Sequence, residues 1–155
     1  MFHVKPTLAA GAHVNAARHG LLSNHAAHDP DPFWLEQARR LDWIREPTTA
    51  LAGGFDGEGR VSWFADGTLN VSVNCLDRHL KERGNQVALV WQGEDEEAVE
   101  RLTFRELHAR VCRFGDVLRA QGVNKGDRVA IYLPMVVDAA VAMLACARIG
   151  AVHVV

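Results

Sequence analysis

Two pairs of side chains in this sequence have the types and spacing for thiol chemistry. Cys75 and His79 are four residues apart, as are His108 and Cys112, so each pair shares a face if its segment is helical. The thiolate is the reactive form of cysteine and needs a basic or electropositive setting. No neighbouring group in the sequence tunes either pair, and both read as core thiols beside incidental imidazoles. His25 and His28, three apart, could share a metal ion on a helix. A structural site takes four ligands as a rule, and no cysteine or paired carboxylate accompanies them. Glu94, Asp95, Glu96, Glu97 and Glu100 could attract a cation, but consecutive carboxylates on a turn read as solvated charge. Gly53-Gly54 and Gly57-x-Gly59 suggest a phosphate cradle and lack the Lys-Ser/Thr and the strand-turn-helix setting of one, so they read as loop. Arg148, near a predicted helix end, could reach a carboxylate or phosphate, though its simpler role is to satisfy carbonyls. His153 reads as a strand histidine with one hydrogen bond. Spacing alone therefore assigns no catalytic, cofactor-binding or metal-binding residue, and predicts no reaction.

The elements that would position such groups are those of a globular chain. The 155 residues are 48% hydrophobic and 23% charged, a profile far from that of a disordered segment. Seventeen Lys+Arg against nineteen Asp+Glu give a net charge of −2, which lacks the basic footprint of a nucleic-acid binder. The longest nearly uncharged apolar run, Ala139 to Ala147, falls short of half a bilayer span. Three cysteines without a C-x-x-C pair fit a reducing compartment, with the thiols acting as small core hydrophobes. No secretory signal opens the sequence, and the expected location is the cytoplasm.

Residues 1–28 hold five of the eight histidines among small residues and read as a solvated, partly helical arm. A helix is predicted next, with Asp31 as cap, Pro32 in its first turn, Phe33, Trp34, Ala38, Leu41 and Ile44 on one face, and Pro47 as its stop. Asn70 can cap a helix reaching about Arg83, which Gly84 ends. Val87 to Trp91 is a strand whose hairpin partner is Ala98 to Leu102. Thr103-Phe104-Arg105-Glu106 is a capping box opening a helix with Phe104, Leu107, Val111, Phe114 and Leu118 on one side. The strand Arg128 to Leu133, a nearly all-apolar helix over Val137 to Ile149 and the strand from Ala151 make a βαβ unit. The predicted fold class is α/β, with a mostly parallel sheet.

Several segments, in order, carry a resemblance. They are Asp66-Gly67-Thr68-Leu69-Asn70, Asn74-Cys75-Leu76-Asp77-Arg78-His79-Leu80, Tyr132-Leu133-Pro134-Met135 and the run Ala140 to His153. Phe33-Trp34, Trp43, Trp63-Phe64, Leu107-His108 and Val111-Cys112-Arg113-Phe114 add to it. Together they resemble the N-terminal region of AMP-forming acetyl-CoA synthetases (acetate–CoA ligases) of the acyl-adenylate-forming superfamily, over about residues 30–155.

The resemblance implies an enzyme that joins acetate to coenzyme A through acetyl-adenylate, using ATP and Mg²⁺. It implies a flexible His/Ala-rich arm over residues 1–28, an N-terminal cap region over 29–84, and the start of the AMP-binding domain over 85–155. The phosphate loop, acetate pocket, ribose-binding aspartate, coenzyme A turn and catalytic lysine of that family have no counterpart here. No functional residue is therefore carried over to any position, and no cofactor is expected in this chain itself. Val155 falls inside a predicted strand, so the expectation is an incomplete α/β domain: inactive scaffold cut from a longer ligase. The alternative is a non-enzymatic module that docks on a full-length synthetase or self-associates through an open sheet edge. Acetate, ATP and coenzyme A are the expected partners of the parent enzyme only, with no nucleic acid and no membrane.

Overall fold

The computed structural model describes residues 4–55 and 59–155, which divide into two compact units. Gly57 of the second glycine pair, and His3 of the histidine-rich arm, lie outside the described residues.

The first unit comprises Met1–Leu41 and Arg45–Thr68. Its helices are α1 (Pro6–Gly11), α2 (Ala16–His28) and α3 (Pro30–Ala38). Neither α1 nor α2 buries a residue. Asn15 starts α2 by accepting from the Arg18 amide at 2.9 Å. Pro30 rather than Pro32 opens α3, where a missing N–H costs nothing. Asp31 does not cap it: its Oδ1 accepts from the amides of Ala50 (3.2 Å) and Leu51 (3.0 Å), which places the start of β1 (Leu51–Gly53). The predicted loop over Leu51 to Gly59 thus begins as a strand, paired antiparallel with β2 (Val61–Trp63). Gly53 turns it with φ 81°, its Cα so close to the Arg60 carbonyl that a Cβ would lie 2.1 Å from that oxygen. Phe33, Trp34 and Trp63 stack edge to face, with centroids 5.0 and 5.7 Å apart.

The helix predicted through Ile44 stops at Ala38. Ile44 is 76% exposed, so its share of the apolar face has nothing to bury against. Both backbone groups of Asp42 are also taken by Asn74, at 2.9 Å each, which removes the ladder a longer helix would need.

The second unit comprises Asp42–Ile44 and Leu69–Val155. It runs α4 (Val71–Cys75), a 3₁₀ turn (Asp77–His79), α5 (Leu80–Arg83), β3 (Val87–Gln92), β4 (Val99–Thr103), α6 (Phe104–Ala120), β5 (Arg128–Ala130), α7 (Val137–Ile149) and β6 (Val152–Val154). The segment predicted as one helix to Arg83 breaks at Leu76 (φ −124°, ψ −63°), whose side chain is 2% exposed in the core. β3 and β4 form the predicted antiparallel hairpin. β5 and β6 pair in parallel across α7, the predicted βαβ unit. The α/β class stands, and the described strands form three two-stranded sheets, one of them parallel.

Leu76, Leu102, Leu107, Val111, Val137, Val141 and Ala145 make the main core. At about 1.5–3 kcal/mol for each fully buried aliphatic side chain, this cluster outweighs the surface ion pairs as the source of stability. The buried stripe of α6 is Leu107, Val111 and Gly115, so Phe114 turns partly outward. Gly150 ends α7 at φ 79°, as its predicted C-cap role requires.

Candidate functional site

The chemistry-bearing residues that the second unit gathers are Asp77, His108, Cys112 and Arg148. α6 carries His108 and Cys112 one turn apart, the 3₁₀ turn presents Asp77, and the last turn of α7 supplies Arg148. The Arg148 guanidinium grips the Asp77 carboxylate with both terminal nitrogens, Nη1 to Oδ1 at 3.2 Å and Nη2 to Oδ2. His108 Nε2 lies 3.3 Å from Asp77 Oδ1. Cys112 Sγ lies 3.5 Å from His108 Nε2 and 3.9 Å from Nδ1. Burial pushes the Asp77 carboxyl up, but hydrogen bonds and charge from Arg148, with His108 alongside, outweigh it and hold the group below the usual carboxylate range.

Asn70 links α4 to the end of α7. Its Oδ1 accepts from the Val73 amide at 3.2 Å, capping α4 as predicted. Its Nδ2 donates to the carbonyls of Ala147 (3.3 Å) and Arg148 (3.0 Å), which end α7. The expectation that Arg148 serves helix carbonyls is thereby corrected: Asn70 does so, which leaves the guanidinium for Asp77. Asn70, Val73, Cys112, Gly115, Asp116, Arg119 and Arg148 line an open groove of about 360 Å³.

The other sequence candidates are placed elsewhere. Cys75 ends α4 exposed, and the His79 ring packs on Phe104 at 5.3 Å. The expectation of three core thiols holds for Cys146, whose thiol burial pushes up. Cys75 departs from it because the buried positions around it are Ser72 and Leu76. His25 packs edge-on against Phe33, while His28 Nδ1 donates to the Asn24 carbonyl at 2.8 Å, so the two rings do not converge. Among the described residues, no group of three or more His, Cys, Asp or Glu is placed to hold a metal. In the acidic turn, Asp95 Oδ1 accepts from the Glu97 amide at 3.1 Å and Glu100 pairs with Arg110 at 2.6 Å. Gly54 donates to the Arg60 carbonyl as part of the β1–β2 hairpin. His153 is exposed on β6. No helix among the described residues is long and apolar enough to cross a membrane. The Asp77–Arg148 and Asn70–α7 links were invisible in the sequence, since nothing local signals pairing at such separations.

The acetyl-coenzyme A synthetase N-terminus family matches residues 22–75 and the AMP-binding enzyme family matches residues 76–155. The chain is 52% identical over 153 residues to an acetyl-coenzyme A synthetase of Sodalis glossinidius, covering 98% of this chain and 24% of that relative. It is 49% identical over 154 residues to one of Shewanella frigidimarina, with 99% and 24% covered. The structure superposes on acetoacetyl-CoA synthetase from Streptomyces lividans with a TM-score of 0.75 and 28% identity, over 94% of this chain and 22% of that one. The chain spans about a quarter of the length of the relatives it matches. With more than half of its residues inside the AMP-binding match, and the synthetase-type N-terminus directly ahead of them, the chain belongs to the AMP-binding enzyme family.

Proposed function

We propose that this chain is the N-terminal portion of an acetate–CoA ligase, and that it serves there as scaffold. The observation that carries this reading is collinearity: the two family matches abut at residues 75 and 76, in the order expected of acetyl-CoA synthetases. In this reading residues 1–28 are an arm, 29–84 the cap region and 85–155 the start of the AMP-binding domain. The whole enzyme would activate acetate with ATP and Mg²⁺ as an acyl-adenylate and pass the acetyl group to coenzyme A, in the cytoplasm. Three free thiols fit that compartment.

Neither the Gly53-Gly54 turn nor Asp77 is read as a ligand for ATP, Mg²⁺ or coenzyme A. The Gly53-Gly54 turn is spent on a hairpin, and the Asp77 carboxylate is engaged by Arg148. No catalytic step is therefore assigned to a residue of this chain. What its residues do is hold the βαβ unit in register: Asn70 and Gly150 end α7, and the core cluster seats it against α6.

A chimera tests the reading. This chain replaces the matching first quarter of the Sodalis glossinidius synthetase, and acetate-, ATP- and CoA-dependent thioester formation is measured. Retained activity supports a ligase scaffold, and a soluble, folded chimera without activity contradicts it. Acetyl-hydroxamate formation by the 155-residue chain alone, above a blank, would contradict the scaffold role.

A second reading is self-association through the β5–β6 edge, favoured by the exposure of Val152 and Val154 there and of Tyr132 and Met135 just after β5. A concentration-independent monomer in sedimentation removes it.

A further inference from the structure

We propose that Trp34, Trp63 and Phe64 form an aromatic cage for a quaternary ammonium group of the size carried by choline. The inference does not rest on the ligase reading. Three observations carry it.

The first is the lining. Trp34 from α3, Trp63 at the end of β2 and Phe64 directly after it enclose an open pocket of about 230 Å³, and among the described residues nothing else lines it. The pocket has no charged, hydroxyl or amide side chain with which to hold an anion or a sugar. What three rings offer is the negative potential over their faces, which attracts a cation. A primary ammonium or a guanidinium would leave its N–H donors unsatisfied against such walls. A fully alkylated nitrogen has none to lose.

The second is shape. The Trp34 and Trp63 rings meet at 81° with centroids 5.7 Å apart, and Phe64 is inclined to Trp63 by 49° at 6.0 Å. The planes make a corner rather than a flat stack, so a compact, rounded group can touch more than one ring. The volume is below that of a pocket for a drug-sized molecule and suits a headgroup. Phe33, 7% exposed, backs Trp34 edge-on and holds the corner before a ligand arrives. Trp34 and Trp63 stay 38% and 47% exposed, so the site opens to solvent.

The third is the backbone. Successive strand residues project to opposite faces, yet Trp63 and Phe64 line one pocket. Phe64 does so at φ 49°, the one non-glycine residue in the left-handed region among those described. That conformation is unfavourable for a bulky side chain, and strain of this kind gathers at ligand clamps. Its amide donates to the Ala50 carbonyl at 2.7 Å and its carbonyl accepts from the Gly67 amide at 2.9 Å, which keeps it there. Asp66 shares this turn, but its carboxylate accepts from Thr48 and is not part of the lining. The attraction is therefore assigned to the rings alone.

The test titrates the whole 155-residue chain with choline chloride. A second titration, in matched sodium chloride, uses the neutral isostere in which a tert-butyl group replaces the trimethylammonium. Indole N–H resonances are followed by NMR. Choline is expected to shift the Trp34 and Trp63 signals saturably, with a dissociation constant on the order of millimolar, and to leave Trp91 unmoved. The isostere should bind at least about threefold more weakly. Trp63→Leu, which keeps an apolar side chain, should weaken choline binding at least about threefold. Phe64→Gly removes a wall while relieving the backbone, and tests the cage even where Trp63→Leu does not fold. The absence of a saturable shift by about 100 mM choline overturns the proposal. An isostere that binds as tightly as choline overturns the cationic class of ligand. A folded Trp63→Leu or Phe64→Gly chain that binds choline with the original affinity overturns the cage.

Discussion

Asp77 and Arg148, 71 residues apart, meet as a two-point carboxylate–guanidinium pair that ties the 3₁₀ turn after α4 to the last turn of α7. The two side chains are 30% and 17% exposed, dry enough that losing one partner strands the other. Arg148→Leu is expected to lower stability by about 1–3 kcal/mol, read as a fall in the urea midpoint. Arg148→Lys should recover only part of the loss, because an ammonium cannot reproduce the planar two-point grip.

The same pair sets a pH dependence. Asp77 has a folded-state value below its unfolded one, so it contributes stability that is fully present above the unfolded value of 3.8 and is lost as pH falls through the folded value. Glu106, held down by the backbone amide and hydroxyl of Thr103, and Asp66, held down by the hydroxyl and amide of Thr48, have the same sign. Stability measured by urea titration should therefore be flat from neutral pH to about 5 as far as these groups are concerned, and decline below about 4. Asp77→Asn should flatten that decline. An unchanged acid limb in this variant would remove Asp77 from the account.

Asn70 can be divided into its two halves by substitution. Asn70→Ala removes the α4 cap and both bonds to the α7 carbonyls, an expected loss of about 1–3 kcal/mol. Asn70→Asp keeps the capping oxygen but swaps the donor for a negative charge at the C-terminal, partly negative end of α7. It should destabilise at neutral pH and recover as the carboxylate is protonated, which a pair of urea titrations at pH 7 and pH 4 resolves against the parent chain.

The capping box at the start of α6 joins Thr103 Oγ1 to the Glu106 amide (3.3 Å) and Glu106 Oε2 to the Thr103 amide (2.9 Å). Thr103→Ala should cost about 1 kcal/mol. Thr103→Ser, which keeps the oxygen, should cost clearly less in the same thermal or urea melt.

Gly150 stands at φ 79°, and a Cβ there would lie 2.9 Å from Lys125 Cγ. The backbone conformation alone penalises any L side chain, by about 1 kcal/mol. Gly150→Ala should lower the melting temperature, and adding Lys125→Ala should relieve only the contact, not the dihedral.

What could be read from the sequence is what closes within a turn or two. The capping box at Thr103 and Glu106, the Asn70 cap of α4, the Gly150 stop and the Val137–Ile149 helix all depend on neighbours, and the structure has them as expected. So does the βαβ unit, whose crossover is a single apolar helix. The misreadings arise where a distant partner intervenes. Asn74 claims Asp42 and ends α3 early, Leu76 enters the core and breaks the following helix, and Asp31 spends its carboxylate on β1. The cluster around Cys112 was half visible. Its i, i+4 histidine is in the sequence, but Asp77 and Arg148 reach it only through the fold.

The double duty of Asn70 has a consequence for how the second unit opens. α4 and α7 lie near opposite ends of that unit's sequence, yet one amide side chain, bonding to a carbonyl 77 positions away, completes both. Neither terminus can fray without uncapping the other, so the two helices belong to one cooperative opening unit. Their slow-exchanging amides should share one opening free energy, and this linkage forms only after the intervening chain has closed its long loop.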